Sequence, residues 1–244
     1  MKKLDVVTTA LRRSDLLFLT YSSFFNQISD LPKLRIILNV DPIGTSSDKE
    51  IIDVVRLFTD DFEIRFADEG SFVEAVKWSF SMVKSDFYLH LEDDWFLNQQ
   101  MSYKSLVAQL NEKKLEQLVF PMKQQRPNDF GFSFRPHLAR KSYADKSSEL
   151  DDKGNPEKQY IKLANKYGWR TEELEVPYLV TDMGRKWSKS RGLEKSNSSD
   201  CSNSGSWLMK RAWFDRFLGV VEFKLLKFFW CAKLFMKCKK WSCL

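Results

Sequence analysis

The chain has 244 residues, 43% hydrophobic and 14% aromatic with only 9 Gly and 7 Pro, which excludes a disordered or fibrous protein and suffices for one large domain. Four cysteines (201, 231, 238 and 243) contain no C-x-x-C pair, and with only two His they argue against a zinc site or a disulfide scaffold. The net charge of +6 resides at one end: nine Lys/Arg between 210 and 244 face only Asp215 and Glu222, so residues 1–209 are close to neutral and a nucleic-acid-binding body is disfavoured.

The start, "MKKLDVVTTALRR", is basic, but Asp5 interrupts the apolar run that a signal peptide needs, so a reducing, cytosolic location is expected. "KLDVVTTA" predicts a short β-branched strand, and "RSDLLFLTYSSFFNQI" a helix with Ser14 as its N-cap. "KLRIILNVD" predicts a buried strand ending at Asp41, with "PIGTSSD" as the turn after it. "DKEIIDVVRLFTDDF" has helical spacing, "EIRFADEG" reads as a strand, and "SFVEAVKWSFSMVKS" as a helix opened by Ser71. "DFYLHLEDD" is the fourth strand.

Such alternation predicts βαβ units and a mostly parallel sheet buried on both faces. Ligands of these sheets bind beyond the carboxyl ends of the strands. Those ends carry Thr8 and Thr9, Asp41, Asp68 and Glu69, and the run Glu92-Asp93-Asp94. In the second half, "SYKSLVAQLNEKKLEQ" predicts a helix, "LVFPM" a strand, and "FGFSFRPHLARKSY" a strand running into a helix. "GNPEKQYIKLANKYGW" is a turn and helix, "EVPYLVTDMGRKW" a late strand entering a loop, and the Ser/Asn-rich residues 188–206 a mobile loop.

Three adjacent acids at the end of an apolar strand repel one another unless something balances them. Alternation along the strand places Glu92 and Asp94 on one side and Asp93 on the other. Two carboxylates on one side suit a hard divalent cation with oxygen ligands, Mg²⁺ or Mn²⁺. Without a cation the same acids would be a solvated turn capping the next helix.

The order strand, acidic end, helix, strand, "E-G-x(6)-K-W", helix, "LEDDW" resembles family-2-type glycosyltransferases of the GT-A fold, in their short forms. The matching pieces are "VVTTALRRSDLLFLTYSSF", "LRIILNVDPIG", "ADEGSFVEAVKWSFSMVKSDFYLHLEDDW", "GNPEKQYIKLANKYGW" and "VTDMGRKW". The resemblance implies a metal-dependent, inverting transfer of a sugar from a nucleotide-diphosphate donor to a hydroxyl acceptor. It maps the family's D-x-D-type motif onto Glu92, Asp93 and Asp94, with Glu in place of the first Asp. Asp94, with Glu92, would hold Mn²⁺ or Mg²⁺ against the diphosphate, and Asp93 would reach the ribose or donor sugar. Asp41 would face the nucleotide base, with Thr8, Thr9 and Glu69 around the same pocket; Asp41 also reads as an Asx turn before Pro42.

Glu157 occupies the place of the family's general base, although the Asp expected after it is Lys158. Pro156-Glu157 is equally a helix N1–N2 pair favoured by the macrodipole. Arg185, Arg191 and Lys195 would clamp the departing diphosphate, or else be solvated loop charges. The body is expected to span 1–209, with a nucleotide-sugar half (1–100) and an acceptor half (101–209). Residues 210–244 form a basic amphipathic helical tail. Phe217, Leu218, Val221, Leu225, Phe228, Phe229, Ala232, Phe235 and Met236 share one face of it at 100° per residue. Such a helix suits an anionic membrane surface (contact through 212–241) and a glycan or lipid-linked acceptor, or else packs on protein. A nucleotidyltransferase and a non-catalytic binding module are the alternatives, and no nucleic-acid partner is expected.

Overall fold

Runs of β-branched and aliphatic residues build the centre of a seven-stranded sheet. In the computed structural model the described residues are 3–122, 132–191, 193–194, 208–209, 223–225, 227–229 and 231–232. β1 (Lys3–Arg12) leads to α1 (Ser14–Gln27), β2 (Lys33–Gly44) to α2 (Asp48–Arg56), and β3 (Phe62–Phe66) to α3 (Phe72–Ser81). β4 (Phe87–Glu92) is followed by β5 (Trp95–Leu97), α4 (Tyr103–Glu112), β6 (Gln117–Val119) and β7 (His137–Arg140). α5 (Pro156–Tyr167), β8 (Thr171–Glu173), β9 (Val180–Asp182) and α6 (Gly184–Arg191) complete the body.

The sheet order is β8-β6-β7-β4-β1-β2-β3. β4, β1, β2 and β3 run parallel, and β7 enters antiparallel between β4 and β6. This is the mostly parallel α/β architecture expected. A separate antiparallel pair, β5 with β9, sets Trp95 opposite Asp182.

Strand alternation divides the core into two layers. Leu4, Val6, Leu38, Val40, Leu89 and Leu91 pack against Leu17, Tyr21 and Phe24 of α1 and Leu106 and Leu110 of α4. On the other face Val7, Ile37 and Tyr88 meet Val73, Val76 and Phe80 of α3 and Tyr160 and Leu163 of α5. Ser71 caps α3 as expected, accepting from the Glu74 N–H at 3.3 Å. Asn155 caps α5, accepting from Glu157 and Lys158, with Pro156 at the first position, and Gly168 ends the helix at φ 65°.

Three expectations need correction. Ser14 does not cap α1: it is the first helical residue, and its own N–H donates to Ser46 Oγ at 3.0 Å. β2 does not stop at Asp41 but continues through Pro42 to Gly44, where the register with β1 shifts. Gly44 has φ 122°, and a Cβ there would overlap the Arg12 carbonyl, so only glycine lets the chain leave the bulge. Finally, "GRKWSKSR" is helix rather than loop, because Met183, Trp187, Ser188 and Ser190 are buried on one side of it. The rest of the expected loop, apart from 193–194, lies outside the described residues, as does most of the tail.

The described tail residues are helical. Phe223 is buried with Leu16, Leu19, Phe96, Met183 and Trp187, and Lys227 pairs with Asp15 at 3.1 Å. Leu225, Phe228 and Phe229, from the expected apolar face, are 56%, 69% and 64% exposed. No helix among the described residues is long and apolar enough to cross a membrane.

Candidate active site

At the carboxyl ends of the strands, polar groups replace the apolar core. Thr9 lies opposite Asn39 of β2 on one side and Glu92 of β4 on the other. Alternation places all three on the α3 face, with Asp41 joined to them by a 3.0 Å hydrogen bond from Asn39 Nδ2 to Oδ1. Burial raises the Asp41 carboxyl, while the Asn39 bond and the charge of Arg65 lower it. Arg65 is register partner to Asn39 on β3. Glu69 is exposed in the loop that follows β3, at the same end of the sheet.

Thr8 is not in this group. It points into the opposite layer, fully buried, where its Oγ1 accepts from Tyr21 Oη at 3.0 Å.

The three acids part company at the turn between β4 and β5. Glu92 Oε2 accepts from Trp95 Nε1 at 2.7 Å, which fixes its side chain along β5. Asp93 is buried and fully used. Arg13 donates through Nε to its Oδ2 at 2.9 Å and through Nη2 to its Oδ1, and the Leu11 N–H donates to Oδ2 at 3.1 Å. Thr20 Oγ1 holds the Asp93 carbonyl at 2.8 Å. Burial is the largest influence on the Asp93 carboxyl and raises it, with Arg13 pulling the other way. Burial by itself lowers the guanidinium, yet Asp93 and Asp94 hold it above its ordinary value.

Asp94, like Glu92, is only partly buried. Its side chain is 20% exposed, and its Oδ2 accepts from Arg13 Nη2 at 3.1 Å. Its carbonyl accepts from the Met183 N–H at 2.7 Å, which ties the turn to the segment entering α6. A Cβ on Gly184 would overlap Asp94 Oδ2, so the glycine of "GRKW" is what lets α6 approach the acid.

Asp182 completes the arrangement. Its Oδ1 accepts from the N–H groups of Gly184 (2.9 Å) and Arg185 (3.3 Å), opening α6. Burial and then the nearby charge of Asp94 raise its carboxyl. Asp94 and Asp182 are near enough for their charges to interact, and a hard cation takes one or two protein carboxylates and fills its other positions with water or phosphate oxygens. Among the described residues no three His, Cys, Asp or Glu side chains converge as a complete metal cage.

Glu157 lies at the start of α5 in the acceptor half, where the Phe134 N–H donates to its Oε1 at 3.3 Å; Phe134 itself packs beside His90 at 5.4 Å in the core layer under the sheet. Arg185 is 84% exposed and pairs with Asp182 at 3.2 Å. Arg191 ends α6, and Lys195 lies outside the described residues.

Sequence reasoning missed Arg13, Asn39 and Asp182. A signal existed for Arg13: it stands between a buried strand and a buried helix, and a buried arginine needs acids.

This mostly parallel sheet, with polar and acidic groups at its carboxyl ends and an acidic turn across them, matches the GT-A fold. Solved structures with this fold superpose on the chain. The mannosyltransferase PcManGT from Pyrobaculum calidifontis, in complex with GDP-Man and Mn²⁺, matches at TM-score 0.57 and 13% identity over 77% of this chain and 60% of its own. TarS 1–349 from S. aureus matches at TM-score 0.55 and 13% identity over 76% and 61%. Its complex with UDP-GlcNAc matches at TM-score 0.52 and 14% identity over 74% and 58%. The chain thus spans about three fifths of the length of these proteins. No family model matches the sequence, and no curated protein matches it.

Proposed function

We propose that the chain is a metal-dependent, inverting glycosyltransferase acting on a nucleotide-diphosphate sugar. The observation that carries this reading is the unequal treatment of the acids on a GT-A sheet. Asp93 is neutralised from within by Arg13, while Asp94 stays partly open beside Asp182 at the end of the strands.

In this reading the nucleotide lies over β1, β2 and β3, with Thr9, Asn39 and Asp41 lining its base side and Glu69 at the rim. Asp41 would accept a ring N–H, which uracil, thymine and guanine offer and cytosine lacks. Asp94, with Asp182, would hold Mn²⁺ or Mg²⁺, which supplies positive charge to the diphosphate. Glu92 is committed to Trp95 and shapes the turn. Arg185, Arg191 and Lys195 are assigned to the departing diphosphate.

Glu157 is the proposed base. It takes the proton of the acceptor hydroxyl as that oxygen forms its bond to the anomeric carbon. The bond from that carbon to the diphosphate oxygen breaks in the same displacement, and the nucleoside diphosphate leaves with the electron pair.

The acceptor is proposed to be a glycan or lipid-linked glycan, with residues 1–209 as the transferase body and the tail at an anionic membrane surface on the cytosolic side. The exposure of Leu225, Phe228 and Phe229 beside Lys224 supports a surface contact there.

A product assay tests the reaction class: sugar transfer or donor hydrolysis releases nucleoside diphosphate, whereas nucleotidyl transfer releases pyrophosphate. Glu157→Gln should lower kcat by about 10²-fold or more while donor binding is kept. Full turnover in that variant would remove Glu157 from the chemistry.

A further inference from the structure

Arg13 touches more of the acidic turn than any sequence motif suggests. It sits at the end of β1, only 4% of its side chain exposed, and binds Asp93 with two nitrogens. The same Nη2 reaches Asp94 Oδ2 at 3.1 Å. Its guanidinium lies over the Trp187 ring of α6 at 5.1 Å, and Trp187 is itself buried. One side chain therefore joins the β1–α1 connection, both acids and the "GRKW" helix.

A guanidinium so enclosed has no open face for a diphosphate, so it does not bind substrate directly. It does hold one oxygen of Asp94. With Arg13 on Oδ2 and Gly184 packed against the same atom, the carboxylate is fixed with Oδ1 as the oxygen carrying no hydrogen bond among the described residues.

We propose that Arg13 is the positioning residue of this site: it locks Asp94 so that one oxygen, not two, is offered to the cation. Asp93 then serves as the anchor that holds Arg13 in place. The inference rests on the reading of Asp94 as a cation ligand. Octahedral Mg²⁺ and Mn²⁺ suit a carboxylate restricted to one oxygen, whereas Ca²⁺ also accepts both. Arg13 thereby contributes to which cation the site prefers.

The test is the charge-balanced double variant Arg13→Met/Asp93→Asn. It removes one positive and one negative charge, so the net charge around Asp94 is unchanged and any change in cation affinity reports orientation. The amide introduced by Asp93→Asn retains an acceptor for the Leu11 N–H, and loss of a buried ion pair as a unit is tolerated far better than loss of one partner. Mn²⁺ binding is followed by the free-ion EPR signal with UDP and, separately, with GDP present, and Ca²⁺ by competition.

The expected result is Mn²⁺ binding weakened about tenfold or more, the usual effect of removing a hydrogen-bond partner of a metal ligand. The preference for Mn²⁺ over Ca²⁺ should narrow as well, since Oδ2 is released. General loosening of the fold would weaken both cations alike and leave the preference unchanged. That result, or wild-type Mn²⁺ affinity in the double variant, overturns the proposal while leaving Asp94 as a ligand. If the double variant does not fold, Arg13→Lys keeps the charge without the two-nitrogen grip, and the same two outcomes decide. A wild-type chain that binds no Mn²⁺ with either nucleotide overturns both the cation reading and the positioning role.

Discussion

The only two histidines of the chain, His90 and His137, stack on each other at 4.8 Å in the layer beneath the acidic turn. His137 Nδ1 faces the Arg135 carbonyl at 2.8 Å, and both His90 nitrogens are buried without a hydrogen bond among the described residues. Burial first, and then His137, lowers His90 well below the ordinary value; burial takes His137 down to about 3. Both rings are therefore neutral in the folded chain and titrate near 6.5 when it unfolds. Their contribution to stability is complete above about pH 6.5. It is lost as the pH falls below that, by up to about 1.4 kcal/mol per pH unit for each ring that stays neutral in the folded chain. Thermal denaturation of His90→Phe should show a shallower loss between pH 6.5 and 5 than the wild type; identical slopes would contradict the assignment. At this scale the sequence reveals which acids matter but not how they divide. Alternation groups Glu92 with Asp94, but residues 93 and 94 form a turn: Asp93 and Asp94 share Arg13 Nη2 while Glu92 goes to Trp95, and nothing local tells that Asp93 turns inward to an arginine eighty residues away. Thr8 misleads for a related reason: parity alone does not say which face holds the ligand.

Among the elements, the parallel strands and the first three helices are legible because their periodicities are strong, with local serine caps on α2 and α3 only. The bulge at the end of β2 is not, since it is set by close approach of Gly44 to the Arg12 carbonyl across the sheet. Gly44→Ala combines the overlap with an unfavourable φ, and should cost on the order of 1–3 kcal/mol in urea denaturation. A neutral substitution would mean that the bulge relaxes freely. α6 reads as loop in the sequence because Gly, Ser and Arg dominate "GRKWSKSR". Its helical form comes instead from tertiary burial of Met183 and Trp187 and from Asp182 accepting at its first turn. That helix brings Gly184 against Asp94 and Trp187 against Arg13, so a contact of the acidic turn lies in a segment with weak local signal.

At the scale of the whole molecule, a near-neutral body carries a basic tail that is partly docked. Phe223 and Lys227 face the body, and Leu225, Phe228 and Phe229 face outward. The helical period is legible in the tail; the residue that docks is not, because burial of Phe223 depends on α1 and α6 together. Phe228→Ser/Phe229→Ser should reduce sedimentation with phosphatidylserine-containing vesicles at least about tenfold, each ring withdrawn from the interface forfeiting on the order of 1.5 kcal/mol. Unchanged sedimentation would assign that face to protein contact. The account as a whole stands on a cation and a nucleotide-diphosphate sugar arriving together at Asp94. Its most direct test is a thermal-shift screen of nucleotide sugars, UDP-GlcNAc and GDP-mannose included, with and without Mn²⁺, on the wild type and Asp94→Ala. A ligand that binds only the native state raises the midpoint. The account predicts a rise that needs both Mn²⁺ and a nucleotide sugar and disappears in Asp94→Ala; an equal rise in the variant would contradict it.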